Sequence, residues 1–351
     1  MENDKQKTEN RYTALIILVL LLAGGVAVYL VLRMDILGRR PVPVQYQYQI
    51  GQVADVDPNL ILYHELDQRI QTGFKQARAV CVDPNGLIYV AGDSQVRLFD
   101  KAGQQTKTVD VPAGPKCLAV ADDGMIYVGT RDHVEALSPA GEQIAAWPNL
   151  GEGTVITGIA LDKDALYVAD AGHRVVLRCD LQGKVLGRIG EKNPDRRIEG
   201  FVIPSPHFDL VMAPDGLLRV VNPGRHRIEA YTTDGELEVA WGRFGSDIEG
   251  FTGCCNPVSL AMLPDGGFVT CEKGVVRVKV FGPDGRFIGV VAGPRQLTGS
   301  AGQVCQTVDQ CQGSGFDVTT DSQGLVYVLD TLKNAIRIFE KKSQTGGRNH
   351  E

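Results

Sequence analysis

The chain has 351 residues, 43% of them hydrophobic, with 41 glycines, 17 prolines, eight cysteines and a net charge of −6. An acidic chain without a Lys/Arg cluster is not expected to bind nucleic acid, because phosphate recognition needs a basic face. Eight cysteines are too few for a scaffold of this size held by disulfides alone, and the Gly and Pro content calls for many turns rather than disorder.

The first predicted element is a membrane anchor. Residues 1–12 are a polar tail, and Thr13 to Leu32 read TALIILVLLLAGGVAVYLVL without one charge. About 20 residues at roughly 1.5 Å each match the hydrocarbon thickness of a bilayer. The run is longer than the apolar region of a cleaved signal peptide, and Ala23-Gly24-Gly25 is a poor cleavage site, so an uncleaved anchor over 13–33 is expected. Lys5, Lys7 and Arg11 precede it, while Arg33, Arg39 and Arg40 follow, so flanking charge does not set the orientation. Large downstream domains are commonly translocated whatever their flanks, which predicts an extracytoplasmic (periplasmic) location for the rest. Residues 34–58, with Pro41, Pro43 and Pro58, read as a linker.

From Ala79 onward six segments share one pattern: an apolar run, an Asp/Pro/Gly turn, a β-prone run, a polar turn, a second apolar run and another Gly turn. They begin AVCVDPNGLIYVAG at Ala79, CLAVADDGMIYVGT at Cys117 and GIALDKDALYVAD at Gly158. The others begin DLVMAPDGLLRVVN at Asp209, SLAMLPDGGFVTCE at Ser259 and DVTTDSQGLVYVLD at Asp317. A fourth strand follows the first five units, as QTKTVDV, EQIAAWP, KVLGRIG, ELEVAWG and RFIGVVAG. The sixth unit lacks one, and Leu60 to Leu66 supplies the missing strand from the other end, which closes a ring and leaves no open edge. The expected fold is therefore all-β, a six-bladed β-propeller over 59–342 with an N-terminal strand completing the last blade, followed by a tail at 343–351.

The unit resembles the NHL repeat, which couples a D-x-x-G turn to a YVAD-like strand and a G-N-H-R-[IV] turn. Tyr167-Val168-Ala169-Asp170-Ala171-Gly172-His173-Arg174-Val175 carries the resemblance best, with Asn222-Pro223-Gly224-Arg225-His226-Arg227-Ile228 and Asp330…Asn334 behind it. It covers about residues 60–341 and implies a propeller; NHL-type propellers include scaffolds, ligand and RNA binders and a metal-dependent lyase, so function has to come from the site.

In such a blade the loop leading into strand one and the end of strand two share one face, here termed the upper face. Cys81, Cys117 and Cys179 fall on strands and read as small buried hydrophobes. Cys254 and Cys255, before Asn256, lie in the loop leading into unit five; Cys271 ends its second strand, read as the place Asp170 and Asp330 hold; Cys305 and Cys311 lie in the loop leading into unit six. All five map to the upper face. Three readings stand: disulfides, such as Cys305–Cys311 and Cys254 or Cys255 with Cys271 or each other; a thiolate metal or redox site, without CxxC spacing; and free thiols meeting a partner, with Arg243 and Lys273 placed to acidify them. His133, His173 and His226 follow second strands and His207 leads into unit four, so a metal-binding histidine set on the same face is a secondary candidate, against local turn packing. Phe201 and Phe251, in the similar segments Arg196–Phe201 and Ser246–Phe251, read as wedges between blades. The functional expectation is a membrane-tethered, extracytoplasmic protein-interaction or redox-associated binding module that meets a membrane-proximal protein through the cysteine-bearing face. The alternative is a metal-dependent lyase or hydrolase at the central channel.

Overall fold

The structure, a computed structural model, describes residues 2–33, 55–299 and 315–343. The chain divides into two units, residues 1–49 and 50–351.

The first unit is a helix, Glu2–Arg33. Its stretch Tyr12–Tyr29 carries no charge, and it is long and apolar enough to cross a membrane.

The second unit is six antiparallel four-stranded sheets, five of them running in chain order from the inner to the outer strand. The sixth uses Phe316–Thr320, Val326–Asp330 and Ala335–Lys341 and takes its outer strand, Tyr63–Gln71, from the N-terminal side. That is the predicted closure with a shift along the chain. Strand pairing starts at Tyr63↔Lys341 and ends at Gln71↔Ala335, with an irregularity between Glu65 and Arg69. The apolar Leu60-Ile61-Leu62 expected to begin the strand instead ends a short 3₁₀ turn and rests on blade five, where Leu62 N donates to Val290 O (2.9 Å). An outer strand has one wet face, so its apolar residues are sparse. Tyr63 and Ile70 are the side chains it buries, and continuous hydrophobicity is a poor guide to its limits. The last residues assigned to the linker also pack, with Asp55 bonded to Arg295 (2.8 Å); residues 34–54 and the tail beyond 343 lie outside the described residues.

The core lies between blades rather than within them. Separate apolar clusters fill the seams between blades one and two, two and three, five and six, and six and one, and a larger one spans blades three to five. Phe201 and Phe251 are buried in that larger cluster as the expected wedges, Phe201 edge-on to Phe208 and Tyr231 (centroids 4.8 and 5.6 Å).

Most second strands end on one device. Asp170, Asn222, Glu272 and Asp330 occupy the same register position, and each carboxyl or amide oxygen accepts backbone N–H groups of the upper-face loops: Asp170 from Val155 (3.0 Å), Asn222 from Val202 (2.9 Å), Glu272 from Thr252 (2.9 Å) and Asp330 from Leu332 (3.1 Å). A buried loop N–H needs such a partner. Three of the four polar turns that follow these strands place a non-glycine residue in the left-handed region, namely Arg174, His226 and Asn334 (φ 57, 57 and 50°).

Candidate functional site

The upper-face loop of blade five, Thr252 to Val258, is held by Asn256. Its amide donates to Thr252 O (2.6 Å) and Lys273 O (2.9 Å) and accepts from Lys273 N (2.8 Å), and the Asn256–Pro257 peptide is cis. Asn256, expected among the binding residues, is thus an almost fully buried clamp. It fixes Cys254 at the surface and turns Cys255 inward, with their sulfurs 3.2 Å apart. A disulfide requires about 2.05 Å, so the two sulfurs are not bonded to each other in this structure.

Beneath them Lys273, buried, donates from Nζ to Ser205 Oγ (2.9 Å), which belongs to the loop leading into blade four. Burial pushes the Cys255 thiol up, but hydrogen bonds from Ser205 and Cys254 and the charge of Lys273 outweigh it, leaving Cys255 below the ordinary thiol range. Cys254 moves the other way, mainly because its hydrogen bond to Cys255 favours its own protonated form. Cys255 is therefore the thiol that ionises first, and an ionised thiol is the nucleophile and soft-metal ligand. His226 closes the loop from the side, its Nε2–H donating to Gly253 O (2.8 Å) with its ring edge-on to Phe244 (5.0 Å).

A buried ion cluster supports the loop from below. Glu272, Arg277 and Lys279 have side chains fully removed from solvent, and the carboxylate meets Arg277 Nη2 and Lys279 Nζ at 2.8 Å each. Both cations then donate to the neck of the same loop, Arg277 to Asp247 O (3.2 Å) and Gly250 O (3.2 Å), Lys279 to Gly250 O (2.8 Å). Lys279 also sits 4.3 Å over the ring of Phe251. Burial holds the Lys279 ammonium down at about 8, against the pull of Glu272.

The other predicted residues scatter. Cys271 does not take the place of Asp170 and Asp330; Glu272 does, and Cys271 matches Ala169 and Leu329, pairing with Val278 as they pair with Val176 and Ile336. A one-residue register difference reverses a strand side chain, so Cys271 points into the apolar seam between blades five and six, fully buried, and burial drives its pKa well above the ordinary range. It is too committed to packing to join Cys254 or Cys255. Arg243 is spent on Asp247 through two bonds (2.8 and 2.9 Å). Cys305 and Cys311 lie outside the described residues. His133 bonds Asp132 (2.8 Å) and His173 bonds Asp170 (2.6 Å), each within its own turn, while His207 lines the tunnel mouth. Among the described residues no three His, Cys, Asp or Glu side chains converge as metal ligands, so this histidine set does not fit a metal centre. Cys117 and Cys179 are buried as expected, whereas Cys81 is half-buried and lines the tunnel.

The tunnel along the axis, about 790 Å³, is lined by the six inner strands. Asp209 and Asp317 face each other's charge there. Asp317 accepts from Ser259 Oγ (2.8 Å) and Val80 N (2.8 Å), and Asp209 from Leu260 N (2.9 Å), so the two carboxyls stitch blades four, five, six and one together. Burial first, and Asp317 second, raise Asp209 to about 7.

Ser205, Arg277 and Lys279 were missed by sequence reasoning. Ser205 carries no signal beyond its two flanking prolines, Pro204 and Pro206.

No protein-family profile matches the chain, and no curated protein matches it significantly. Solved structures do. A streptogramin B lyase is similar with a TM-score of 0.54 at 12% identity, over 82% of this chain and 100% of that one. A Bacteroides thetaiotaomicron protein of unknown function gives 0.55 at 16%, over 80% and 72%. A virginiamycin B lyase from Staphylococcus aureus gives 0.50 at 12%, over 81% and 89%. At such identities the likeness extends to the fold alone: the chain is a six-bladed β-propeller preceded by an apolar N-terminal helix.

Proposed function

We propose that this chain is an NHL-type propeller tethered by Tyr12–Tyr29 with its propeller outside the cytoplasm, and that its blade-five face is a docking and thiol-exchange module for a membrane-proximal protein. The observation that carries the reading is the pairing of an exposed Cys254 with an ionisable Cys255 above buried Lys273 and Ser205. Free thiols in a structural role are ordinarily core residues with raised pKa, as Cys271 is here. The chemistry is exchange with a disulfide already present on the partner: Cys255 thiolate bonds one partner sulfur, and the other leaves as a thiolate carrying the electron pair. NHL kinship is supported by the Asp170–His173 turn, whose carboxylate organises the loop and the imidazole together.

The test is to quench cells with an alkylating agent and resolve the membrane fraction without reductant. A mixed-disulfide adduct is expected for the native chain, lost in Cys255→Ser. An adduct that survives that substitution, or a partner retained in full by the Cys254→Ser/Cys255→Ser chain, would overturn the reading. Protease protection reports orientation, and a propeller shielded together with cytoplasmic markers would reverse the assigned side.

A further inference from the structure

We infer that the upper mouth of the tunnel, at blades one and two, is a binding site for a small multivalent anion whose body enters the tunnel. Three cations meet there. Arg78 projects from the inner strand of blade one, Ala77–Val82; Lys116 immediately precedes the inner strand of blade two, Cys117–Val120; Arg131 follows that blade's second strand, Ile126–Gly129. All three line the tunnel. The backbone fixes their positions, with Lys116 N donating to Gly129 O (2.7 Å) and Ile156 N to Arg131 O (2.9 Å).

Among the described residues none of the three forms an ion pair with a carboxylate. Arg78 has a neutral partner, donating from Nη2 to Gln76 Oε1 (2.7 Å), whereas the buried arginines Arg219, Arg277 and Arg337 each meet a carboxylate. Lys116 is partly buried and repelled by both arginines, and its ammonium is held below the ordinary range for that reason. An acidic chain has ample carboxylate to neutralise such a cluster, so three like charges left together mark a place where the counter-charge comes from a ligand. The guanidinium groups offer forked donors and Lys116 a point charge, the combination that suits carboxylate and phosphate oxygens. The tunnel volume, about 790 Å³, falls within the usual range for small-molecule sites. Asp209 and Asp317 line the same tunnel, where they keep their own backbone and Ser259 partners.

The experiment is calorimetric titration of the full chain in neutral detergent micelles at low salt, with pyrophosphate in one arm and citrate in the other. Saturable one-site binding of at least one probe is expected, weakened about tenfold or more by Lys116→Gln and abolished by Arg78→Ala/Lys116→Gln/Arg131→Ala. Lys75→Ala, an exposed lysine of the same blade outside the tunnel, should change nothing. The arm that binds tells phosphate from carboxylate recognition. Failure of both probes to bind the native chain, or equal binding by the triple variant shown folded by circular dichroism, overturns the site. Lys116→Gln alone, with no arginine removed, keeps the test decisive if the triple variant does not fold.

Discussion

Replacing Glu272 with glutamine isolates the support beneath the cysteine loop. The substitution keeps the shape and hydrogen-bonding reach of the side chain and removes its charge. Arg277 and Lys279 are then left fully buried without the carboxylate that both meet at 2.8 Å. Breaking a buried ion cluster by removing one partner costs about 3–5 kcal/mol, because the uncompensated charge stays in place. At about 2–4 °C per kcal/mol for a large domain, the unfolding midpoint should fall by on the order of 10 °C. The loss should depend on pH. Lys279 titrates at about 8 in the folded chain, against about 10.4 when unfolded. Between those values the unfolded state binds more protons, so stability rises with pH across that window. Without Glu272 the ammonium discharges at a lower pH still, so the Glu272→Gln penalty should be larger at pH 7 than at pH 10, the difference arising below about 8, where the native lysine is still charged. Scanning calorimetry at both pH values reads the effect, and Glu272→Gln/Lys279→Met should recover part of it. A Glu272→Gln chain melting within about 2 °C of native at pH 7 would refute the assignment of the cluster as the anchor of the loop.

Lys273→Met should raise the Cys255 pKa, because the buried ammonium is one of the groups that lowers it, and should slow its alkylation at neutral pH while sparing the rate at high pH. Asn256→Ala removes three hydrogen bonds from the loop; about 2–4 kcal/mol of local stability should go, read as faster amide exchange confined to residues 252–258. Deleting residues 55–71 strips the outer strand from blade six and exposes the edge of Ala335–Lys341, so the shortened chain should aggregate where the native one stays monodisperse in gel filtration. Asp209, at about 7 when folded against about 3.9 unfolded, holds its proton where the unfolded chain has lost it. Its contribution therefore declines as pH climbs from about 4 to 7, and Asp209→Asn should flatten the melting profile over that interval.

The architecture was legible because each blade repeats its two turns and its apolar runs, and because a missing fourth strand at one end matched a spare strand at the other. The limits of that spare strand were not, since an outer strand buries only Tyr63 and Ile70 over nine residues. The site was legible in part. Cys254-Cys255 stood out as an adjacent pair in a loop, and Lys273 as a nearby cation, and the fold does bring them together. Cys271 was misplaced by one residue; laying Gly266–Glu272 against Gly86–Gly92 without a gap puts Glu272, not Cys271, at the strand end. Arg277 and Lys279 alternate with valines, a pattern that periodicity alone reads as a solvent-facing strand. They are buried because Gly245–Phe251 folds over them, an event with no local signature. Ser205 reaches Lys273 across 68 residues of sequence, and only the packing of blade four beside blade five makes them neighbours.

Site-resolved alkylation of the full chain in detergent micelles at pH 7.5, read by mass spectrometry, bears most directly on the reactive pair. Cys255 and Cys254 should label early, with Cys255 ahead per unit of exposed area, while Cys117, Cys179 and Cys271 stay unmodified until the propeller is unfolded. Labelling of Cys271 at the pace of Cys255, or a Cys255 as inert as the core thiols, would contradict the account.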